Sequence, residues 1–366
     1  MALSGRSLGW VVLTVALAAV GGGLYFQASP EDAAPVDGPA FSLKAYKGGR
    51  GAFAGNTLPA LRHSLATGVT DVMLDIYMTA DGVPVAHGEP RLDPARTRAP
   101  NGRWIERPTP PLGTLTLEDL RAFDLGASRA LQGGPRPFPD QARLDDVEIL
   151  PLEEALQFGE AVAEGRLRYT LTLHTTPDGS APAVPPRRQV VAAVADVVAA
   201  VGVAERTTLR AFDWRTLVVA RDAAPAMTRS YATMEQAERD TVQRGEQGVS
   251  PWLAGVDVDT HLASVPHAIA AVERDGSREP GKSFRPWHVV WSPYYRDIRG
   301  GDVKRARRLG IEVVPWPVNA PATLRSLLAL GVDGIATDYP TRLRQILSEG
   351  GRQPPRAYPD AAPDRP

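Results

Sequence analysis

Short runs rich in β-branched residues alternate with amphipathic helical runs along most of this chain, and this alternation constrains the fold most. A strand followed by a crossover helix and another strand specifies a parallel sheet with helices packed outside it. About eight such units favour an α/β fold of the closed (β/α)8 TIM type over a doubly wound sheet. We therefore predict that a barrel domain occupies residues 41–348.

The predicted strands are Phe41–Tyr46, Thr70–Tyr77, Val83–His87, Arg168–His174, Thr207–Phe212, Ala226–Tyr231, His288–Trp291, Ile311–Trp316 and Gly334–Thr337. The predicted helices include Thr57–Ala66, Leu117–Phe123, Leu152–Ala163, Arg188–Ala200, Trp214–Arg221, Asp302–Leu309, Ala320–Leu330 and Pro340–Leu347. Two segments interrupt the alternation. Gly88–Leu115, rich in Pro and Arg, predicts an excursion at the barrel mouth, and Tyr231–Trp287 predicts an irregular insertion.

The N-terminal segment predicts a membrane anchor. Leu8–Phe26 is uncharged and mostly apolar, follows Arg6, and can span a bilayer of roughly 30 Å with the N-terminus inside. A cleaved signal peptide is the alternative. We assign the anchor to residues 1–27 and a linker rich in Pro and Ala to 28–40, which places the barrel outside the cytoplasm. Residues 349–366 are predicted to be a disordered tail.

Composition excludes two classes of protein. The 41 basic and 42 acidic residues are spread along the chain and give a formal net charge of -1, so no basic stretch tracks a nucleic acid backbone. The chain has no cysteine, which rules out a disulfide framework and a lipid-modified N-terminal cysteine.

A glycine-rich stretch, AYKGGRGAFAGNTL (Ala45–Leu58), joins the first predicted strand to the first helix. Such turns commonly bind charged ligands in α/β folds. This one contains no His, Asp or Glu. Lys47 and Arg50 could hold a phosphate or carboxylate through their charge and through backbone N–H groups, or they could be surface charges beside a turn.

Five stretches, in order, resemble landmarks of the glycerophosphodiester phosphodiesterase family. They are TADGVPVAHGEPRLDP (Thr79–Pro94), TLRAFDWRTL (Thr208–Leu217), WSPYYRDI (Trp291–Ile298), VVPWPVN (Val313–Asn319) and GVDGIATDYPTRL (Gly331–Leu343). Members of this family are (β/α) barrels that hydrolyse glycerophosphodiesters with a divalent metal and two histidines. The resemblance runs from Phe41 to Leu347. It implies fold and ancestry, not activity.

The first two site motifs of the family are changed in this chain. Where the family has H-R-G followed by P-E-N-T, this chain has Tyr46 for the catalytic histidine, Lys47 for the arginine and Gly55 for the glutamate. The family motif E-L-D, which holds the metal, is here Met73-Leu74-Asp75. Only Asp75 keeps its metal-ligand type.

The later motifs are changed as well. H-D-P becomes Gly88-Glu89-Pro90, and His87 stands one place early. On a regular strand a shift of one place would turn the His87 side chain to the opposite face and bury it against a helix. A bulge at the strand end could turn it back toward the substrate. E-x-K becomes Thr172-Leu173-His174, so Thr172 replaces the second metal glutamate. His174 should face the same lumen, where it could form a local ion pair.

These substitutions predict that the metal and the acid–base pair are lost together. A hard divalent cation prefers six or more oxygen ligands, and the Met73 thioether is a poor substitute. The phenol of a tyrosine has an ordinary pKa near ~10, so Tyr46 is a poor base at neutral pH. We expect its ring to fill the mouth of the barrel instead. Trp316, at the end of a strand, could line a pocket floor or cap the core.

We therefore expect a membrane-anchored pseudoenzyme without a cofactor, which binds a glycerophosphodiester or phospholipid headgroup or presents an interaction surface. The alternative is an active phosphodiesterase that releases glycerol 3-phosphate and an alcohol. It would use calcium or magnesium on Asp75 and Glu89, with His87 and His174 as the imidazoles. A third possibility is a sugar or lipid binder that uses the insertion at 231–287. The sequence identifies no protein partner.

Overall fold

The structure, a computed structural model, describes residues 40–130, 138–179, 183–245, 249–275 and 288–361. Its strands are β1 Ser42–Tyr46, β2 Asp71–Met78, β3 Pro84–Ala86, β4 Leu150–Pro151, β5 Arg168–Leu173, β6 Thr207–Ala211, β7 Thr228–Thr233, β8 Glu235–Gln236, β9 Arg239–Asp240, β10 Val289–Pro293, β11 Glu312–Val313 and β12 Gly334–Thr337. Its α-helices are α1 Leu58–Thr67, α2 Leu117–Arg121, α3 Leu152–Ala163, α4 Arg187–Val201, α5 Trp214–Ala223, α6 Val265–Asp275, α7 Asp302–Arg308, α8 Pro321–Ala329 and α9 Pro340–Glu349.

Parallel strands form the barrel in the order β12-β1-β2-β5-β6-β7-β10-β11. The barrel closes between β11 and β12, where the Asp333 amide donates to the Val313 carbonyl over 3.0 Å and the Ala336 amide donates to the Pro315 carbonyl over 3.0 Å. The alternation of strands and crossover helices in the sequence therefore produces the predicted TIM-type barrel.

The helices pack their apolar faces on the outside of the barrel. In α3 the buried residues Leu152, Ala155, Leu156 and Ala163 follow the spacing of one helical face. The helix begins after Pro151 and ends at Glu164, which takes a left-handed conformation with φ of 49°. Its bounds are those predicted from the sequence.

The segment after β2 leaves the barrel, as the sequence predicts. Strand β3 turns back antiparallel to β2 and pairs with β4. The intervening residues pack around a small apolar cluster of their own, formed by Val85, Leu92, Leu112, Leu120, Leu125 and Ile149. This excursion lies beside the mouth of the barrel and forms one wall of the site described below.

The insertion predicted as irregular at Tyr231–Trp287 contains a barrel helix, so this prediction was wrong in part. Helix α6 buries Val265, Ala268 and Ile269 in the main core. Pro266 obscured the helix in the sequence, but proline is tolerated in the first helical turn, where its missing N–H has no partner to lose.

The C-terminal segment is also corrected. Residues 350–361 are ordered in the structure and return to α1, where the Tyr358 amide donates to the Leu65 carbonyl over 2.9 Å. The Tyr358 and Ala361 side chains are buried in the main core. One aromatic anchor is enough to fix a segment whose composition predicted disorder. Residues 362–366 lie outside the described part of the chain.

The predicted membrane anchor, Leu8–Phe26, and residues 28–39 of the linker lie outside the described residues. Within the ranges that the structure does describe, no helix combines the length and the apolar character needed to cross a bilayer.

Candidate functional site

The glycine-rich stretch after β1 forms a tight loop at the carboxyl end of the barrel, where barrel sites are built. Lys47, Gly48 and Gly49 have consecutive positive φ values of 53°, 73° and 86°. A Cβ at Gly49 would lie 2.2 Å from the Ser64 hydroxyl, so the turn requires glycine there. The backbone amides of residues 48–52 all donate to carbonyl groups. The amides of residues 48–52 are therefore not available for the backbone grip on a ligand that the sequence suggested.

Asp75, on β2, is the centre of a buried charged cluster. Its Oδ2 lies 2.8 Å from the Lys47 ammonium, and its Oδ1 lies 3.0 Å from Nε2 of His174. The Asn56 side chain donates to Oδ2 over 3.4 Å and accepts from the Asp75 amide over 3.1 Å. Burial raises the pKa of Asp75, but Lys47 and His174 outweigh this effect and hold the pKa well below its usual range. Both carboxylate oxygens are engaged by the chain itself.

Gly88 leaves the space that the Lys47 ammonium occupies. A Cβ at position 88 would lie 2.7 Å from Nζ of Lys47 and 3.6 Å from Oδ2 of Asp75. The resemblance assigns a catalytic histidine to this position. A side chain at position 88 would therefore require the Lys47 ammonium, the end of a flexible side chain, to leave its present position.

His87 is buried at the mouth of the barrel, not against a barrel helix as the one-place shift predicted. It lines a cavity of about 40 Å³ together with Lys47, Arg96 and Ser128. Among the described residues, Nε2 of its ring has no hydrogen-bond partner. Burial and the charges of Lys47 and Arg96 lower the pKa of His87 to about 3. An imidazole with so low a pKa is a weak general base at neutral pH.

Arg50 is held by a carboxylate at the opposite edge of the loop. Its Nε lies 2.5 Å from Oδ1 of Asp338, whose Oδ2 accepts from Asn319 over 2.7 Å. The guanidinium also lies over the rings of Tyr46 and Phe138, at 5.1 Å and 4.8 Å. Arg50 therefore fastens the loop to the end of β12, and its charge is largely neutralised before any ligand arrives.

Aromatic rings close the mouth of the barrel. Tyr46 stacks on Trp316 with ring centroids 5.9 Å apart, and Phe212 meets Trp316 edge-on at 5.4 Å. These three rings, which we call the aromatic cover, pack with Met73 in one buried cluster. Burial raises the pKa of Tyr46, so its phenol stays protonated at neutral pH. The residue at the family's first catalytic histidine position thus forms part of the cover.

Arg210, on β6, lies behind the aromatic cover. The residue is only 1% exposed. Its Nε donates to the Ser292 hydroxyl over 3.1 Å and its Nη1 donates to the Thr172 hydroxyl over 3.4 Å, whereas Nη2 has no hydrogen-bond partner within the described chain. Its Cζ lies 4.5 Å from the ring centroid of Trp316. Burial lowers the pKa of Arg210 to about 10, which leaves it charged at neutral pH.

A second guanidinium reaches the cover from the hairpin after β7. Cζ of Arg239 lies 4.2 Å from the ring centroid of Phe212 and 5.1 Å from that of Trp252. Glu89, which the sequence offered as a second carboxylate, is exposed. Within the described residues it forms no ion pair, while Asp75 is buried and already paired.

The donor set at the mouth does not fit a hard divalent cation, which takes six or more oxygen ligands. The positions that the resemblance assigns to the metal carry Asp75, the Met73 thioether and the Thr172 hydroxyl. Asp75 is bound by Lys47, and Thr172 accepts from Arg210. In the described ranges no group of three or more Asp, Glu, His or Cys side chains is arranged to hold a metal.

Two of these functional candidates were missed by reasoning from the sequence. Arg210 stands in a strand whose other residues are uncharged, and a lone charge in a buried strand is a usable signal. Arg239 lies in a segment that we predicted to be irregular, and nothing in its surroundings marked it.

Comparison with known proteins places the chain in a family. The model of the glycerophosphoryl diester phosphodiesterase family matches residues 47–342. A glycerophosphodiester phosphodiesterase from Caldanaerobacter subterraneus subsp. tengcongensis is 30% identical over 73 residues, 18% of this chain and 30% of the relative. Glycerophosphodiester phosphodiesterase 1 from Rattus norvegicus is 36% identical over 100 residues, 27% of this chain and 26% of the relative. These two matches thus span less than a third of the relatives' lengths.

Solved structures share the fold over most of the chain. A candidate glycerophosphoryl diester phosphodiesterase from Silicibacter pomeroyi superposes with a TM-score of 0.71 at 30% identity, covering 86% of this chain and 95% of that one. An Oleispira antarctica phosphodiesterase in complex with the product sn-glycerol-3-phosphate gives 0.56 at 16% identity, covering 84% and 96%, and shows the fold alone. With the closed barrel, the ordered motifs and the match over residues 47–342 in agreement, the chain belongs to the glycerophosphoryl diester phosphodiesterase family.

Proposed function

We propose that this protein binds an anionic headgroup of the glycerophosphodiester type at the barrel mouth and has lost metal-dependent hydrolysis. One observation carries the proposal: the Lys47 ammonium lies on the Asp75 carboxylate at 2.8 Å. A metal would need this carboxylate, and Lys47 competes for it. The expectation that no metal cofactor is used follows from this competition.

The charges at the mouth favour an anion. Arg210 and Arg239 meet the aromatic cover, while Lys47 and Asp75 neutralise each other. Cationic side chains in a partly buried site bind phosphate oxygens through short, charge-assisted hydrogen bonds. The product complex of the Oleispira relative, with sn-glycerol-3-phosphate, supports a glycerol phosphate as the chemical type of ligand.

The alternative, an active phosphodiesterase with a rearranged site, has one observation in its favour. His174 contacts Asp75, and the charges of both residues influence the pKa of the nearby His87. Activity through a metal would require Lys47 to leave Asp75 and Glu89 to approach it. Acid–base catalysis would also require an imidazole whose pKa lies nearer neutrality than that of His87.

A paired measurement on the full chain separates the two functions. We expect calorimetry to detect binding of glycerol 3-phosphate or glycerophosphocholine in the presence of a chelator, and we expect no hydrolysis of glycerophosphocholine with calcium, magnesium or zinc. Metal-dependent turnover that disappears in Asp75→Ala, but not in the exposed control Asp196→Ala, would establish the enzyme instead.

The location of the protein is a separate proposal that depends on the sequence of Leu8–Phe26. We propose that this segment anchors the chain with the barrel outside the cytoplasm. Fractionation of the full-length chain tests it. Recovery of the protein in the detergent-free soluble fraction would contradict the anchor.

A further inference from the structure

Arg210 is a buried guanidinium that no carboxylate of the described residues neutralises. Its hydrogen-bond acceptors are the hydroxyl groups of Ser292 and Thr172, which carry no charge. A buried charge without a counter-ion is strongly unfavourable, and such groups are normally paired. Other buried cations of this barrel follow the rule, since Lys44 pairs with Asp71 and Arg229 pairs with Glu273, both at 2.8 Å. Arg210 is therefore an exception that calls for a function.

The surroundings of Arg210 leave one part of it unused. Nη2 is inaccessible to solvent and has no hydrogen-bond partner within the described chain, while Nε and Nη1 are held by hydroxyl groups. These two bonds fix the plane of the guanidinium. The free edge at Nη2 is thus a preorganised donor in a region of low polarity, where a charge-assisted hydrogen bond is strong.

The neighbouring charges also favour the binding of an anion near Arg210. Arg239 contacts the ring of Phe212, which Arg210 also contacts, at 4.2 Å and 5.0 Å from the ring centroid. The two like charges repel each other through this ring. Asp75 attracts Arg210 from a distance but is bound to Lys47. An anion near Nη2 would be attracted by both guanidinium groups.

We propose that Arg210 is the charge partner of the bound anion, holding a phosphate oxygen on Nη2 inside the barrel behind the aromatic cover. This inference rests on the proposed function, because it assumes that the mouth binds a phosphate ester. It assigns to a side chain of β6 the neutralisation of phosphate charge in this protein. The planar guanidinium suits this task better than a lysine, since its donors are fixed in direction.

Access to Nη2 requires the aromatic cover to open, and the contacts indicate which rings can move. Trp316 is fixed by a hydrogen bond from Nε1 to the Ser292 carbonyl, at 2.9 Å. Within the described residues Tyr46 makes no hydrogen bond, although Lys47 and Arg50 lie over its ring at 5.7 Å and 5.1 Å, and Phe212 has no hydrogen-bonding group. We therefore expect Tyr46 or Phe212, and not Trp316, to move when the anion enters.

Calorimetry on the full chain with glycerol 3-phosphate, and separately with inorganic phosphate, tests the inference. We expect Arg210→Met to weaken binding of both probes by about 30-fold or more, because one partner of a buried charged contact is removed. The exposed control Arg166→Met should bind as the wild type does. If glycerol 3-phosphate binds far more tightly than inorganic phosphate, the site also makes contacts with the glycerol group.

Three outcomes separate the possible failures. If the wild type binds neither probe, the proposed function itself is contradicted. A second outcome is that Arg210→Met binds the probes as well as the wild type does, while Lys47→Met does not bind them. The anion would then be bound by the loop after β1, and only the assignment to Arg210 would be contradicted. Should Arg210→Met fail to fold, Arg210→Lys keeps the charge without the planar donors. We expect it to bind about tenfold more weakly, and undiminished binding would overturn the inference.

Discussion

The ammonium of Lys47 lies 2.8 Å from Oδ2 of Asp75 and fills the space that a side chain at position 88 would need. Both partners are buried, with side-chain exposures of 10% and 3%. The pair connects the loop after β1 with the interior of the barrel. If one of the two residues were replaced, the charge of the other would remain buried without a counter-ion. The stability of the barrel mouth therefore depends on this pair.

We expect Asp75→Asn to lower the free energy of unfolding by about 3–5 kcal/mol, because Lys47 would remain buried without its counter-ion. The double variant Lys47→Met with Asp75→Asn should recover most of this loss. Urea unfolding of both variants measures the difference, with Asp196→Asn as an exposed control. Equal destabilisation of the single and the double variant would contradict the buried-pair explanation.

His87 predicts a dependence of stability on pH. Burial lowers its pKa in the native protein to about 3, from an ordinary value of 6.5. Between these two values the unfolded chain binds a proton that the native protein does not, so stability falls as the pH falls through this range. The slope from this residue approaches about 1.4 kcal/mol per pH unit.

Replacing His87 by Leu should remove that slope. We expect unfolding free energies of His87→Leu, measured from pH 4.5 to 6.5, to decline less steeply than the wild type by about one proton. Asp75 does not interfere, because its pKa lies below the ordinary value of 3.8 and thus below this range. His261→Gln serves as the control, and a slope unchanged in His87→Leu would show that the ring is not the source.

Glu312 gives the opposite dependence at the other end of the barrel. Burial raises its pKa to about 7 from an ordinary value of 4.5, against the attraction of Lys44. Between these values the native protein holds a proton that the unfolded chain has released, so stability falls as the pH rises. We expect Glu312→Gln to be more stable than the wild type by about 2 kcal/mol at pH 8. The two proteins should be equal at pH 4, and Glu205→Gln should follow the wild type throughout.

The ordered C-terminal segment predicts a loss of stability when its buried tyrosine is replaced. Tyr358 is buried against α1, and its amide is bonded to Leu65. We expect Tyr358→Ala to lower the free energy of unfolding by about 3 kcal/mol, the loss typical of a buried aromatic ring. The neighbouring exposed residue supplies the control, Asp360→Ala. If both variants unfold with the wild type, the segment does not contribute to the core.

The fold was readable from the sequence because its signals are local. The helical spacing in Leu152–Ala163 and the run of Tyr, Thr and Leu in Arg168–Leu173 each specify an element without reference to the rest of the chain. The Tyr358 segment was misread because one buried ring outweighs a composition rich in proline. Local pattern carries no information about such a single distant contact.

The site was less predictable because its properties depend on distances between strands. Arg210 is held by Thr172, its partner on the neighbouring strand β5, and by Ser292 on β10, two strands away. The ammonium of Lys47 lies 2.7 Å from where a Cβ at position 88 would be, a proximity that no spacing in the sequence encodes. Substitution of the family motifs indicated a changed site, but not the cations that occupy it.

Strand β1 lies between β2 and β12, so that Ser42 is paired with Gly334, which lies far from it in sequence, in the last strand of the barrel. During synthesis the first strand emerges early, while its second neighbour is among the last parts of the barrel to be made. Contacts of such large sequence separation form slowly. The Arg50–Asp338 pair and the closed barrel therefore arise only after β12 has left the ribosome, and until then β1 presents an unpaired edge that other chains or chaperones can bind.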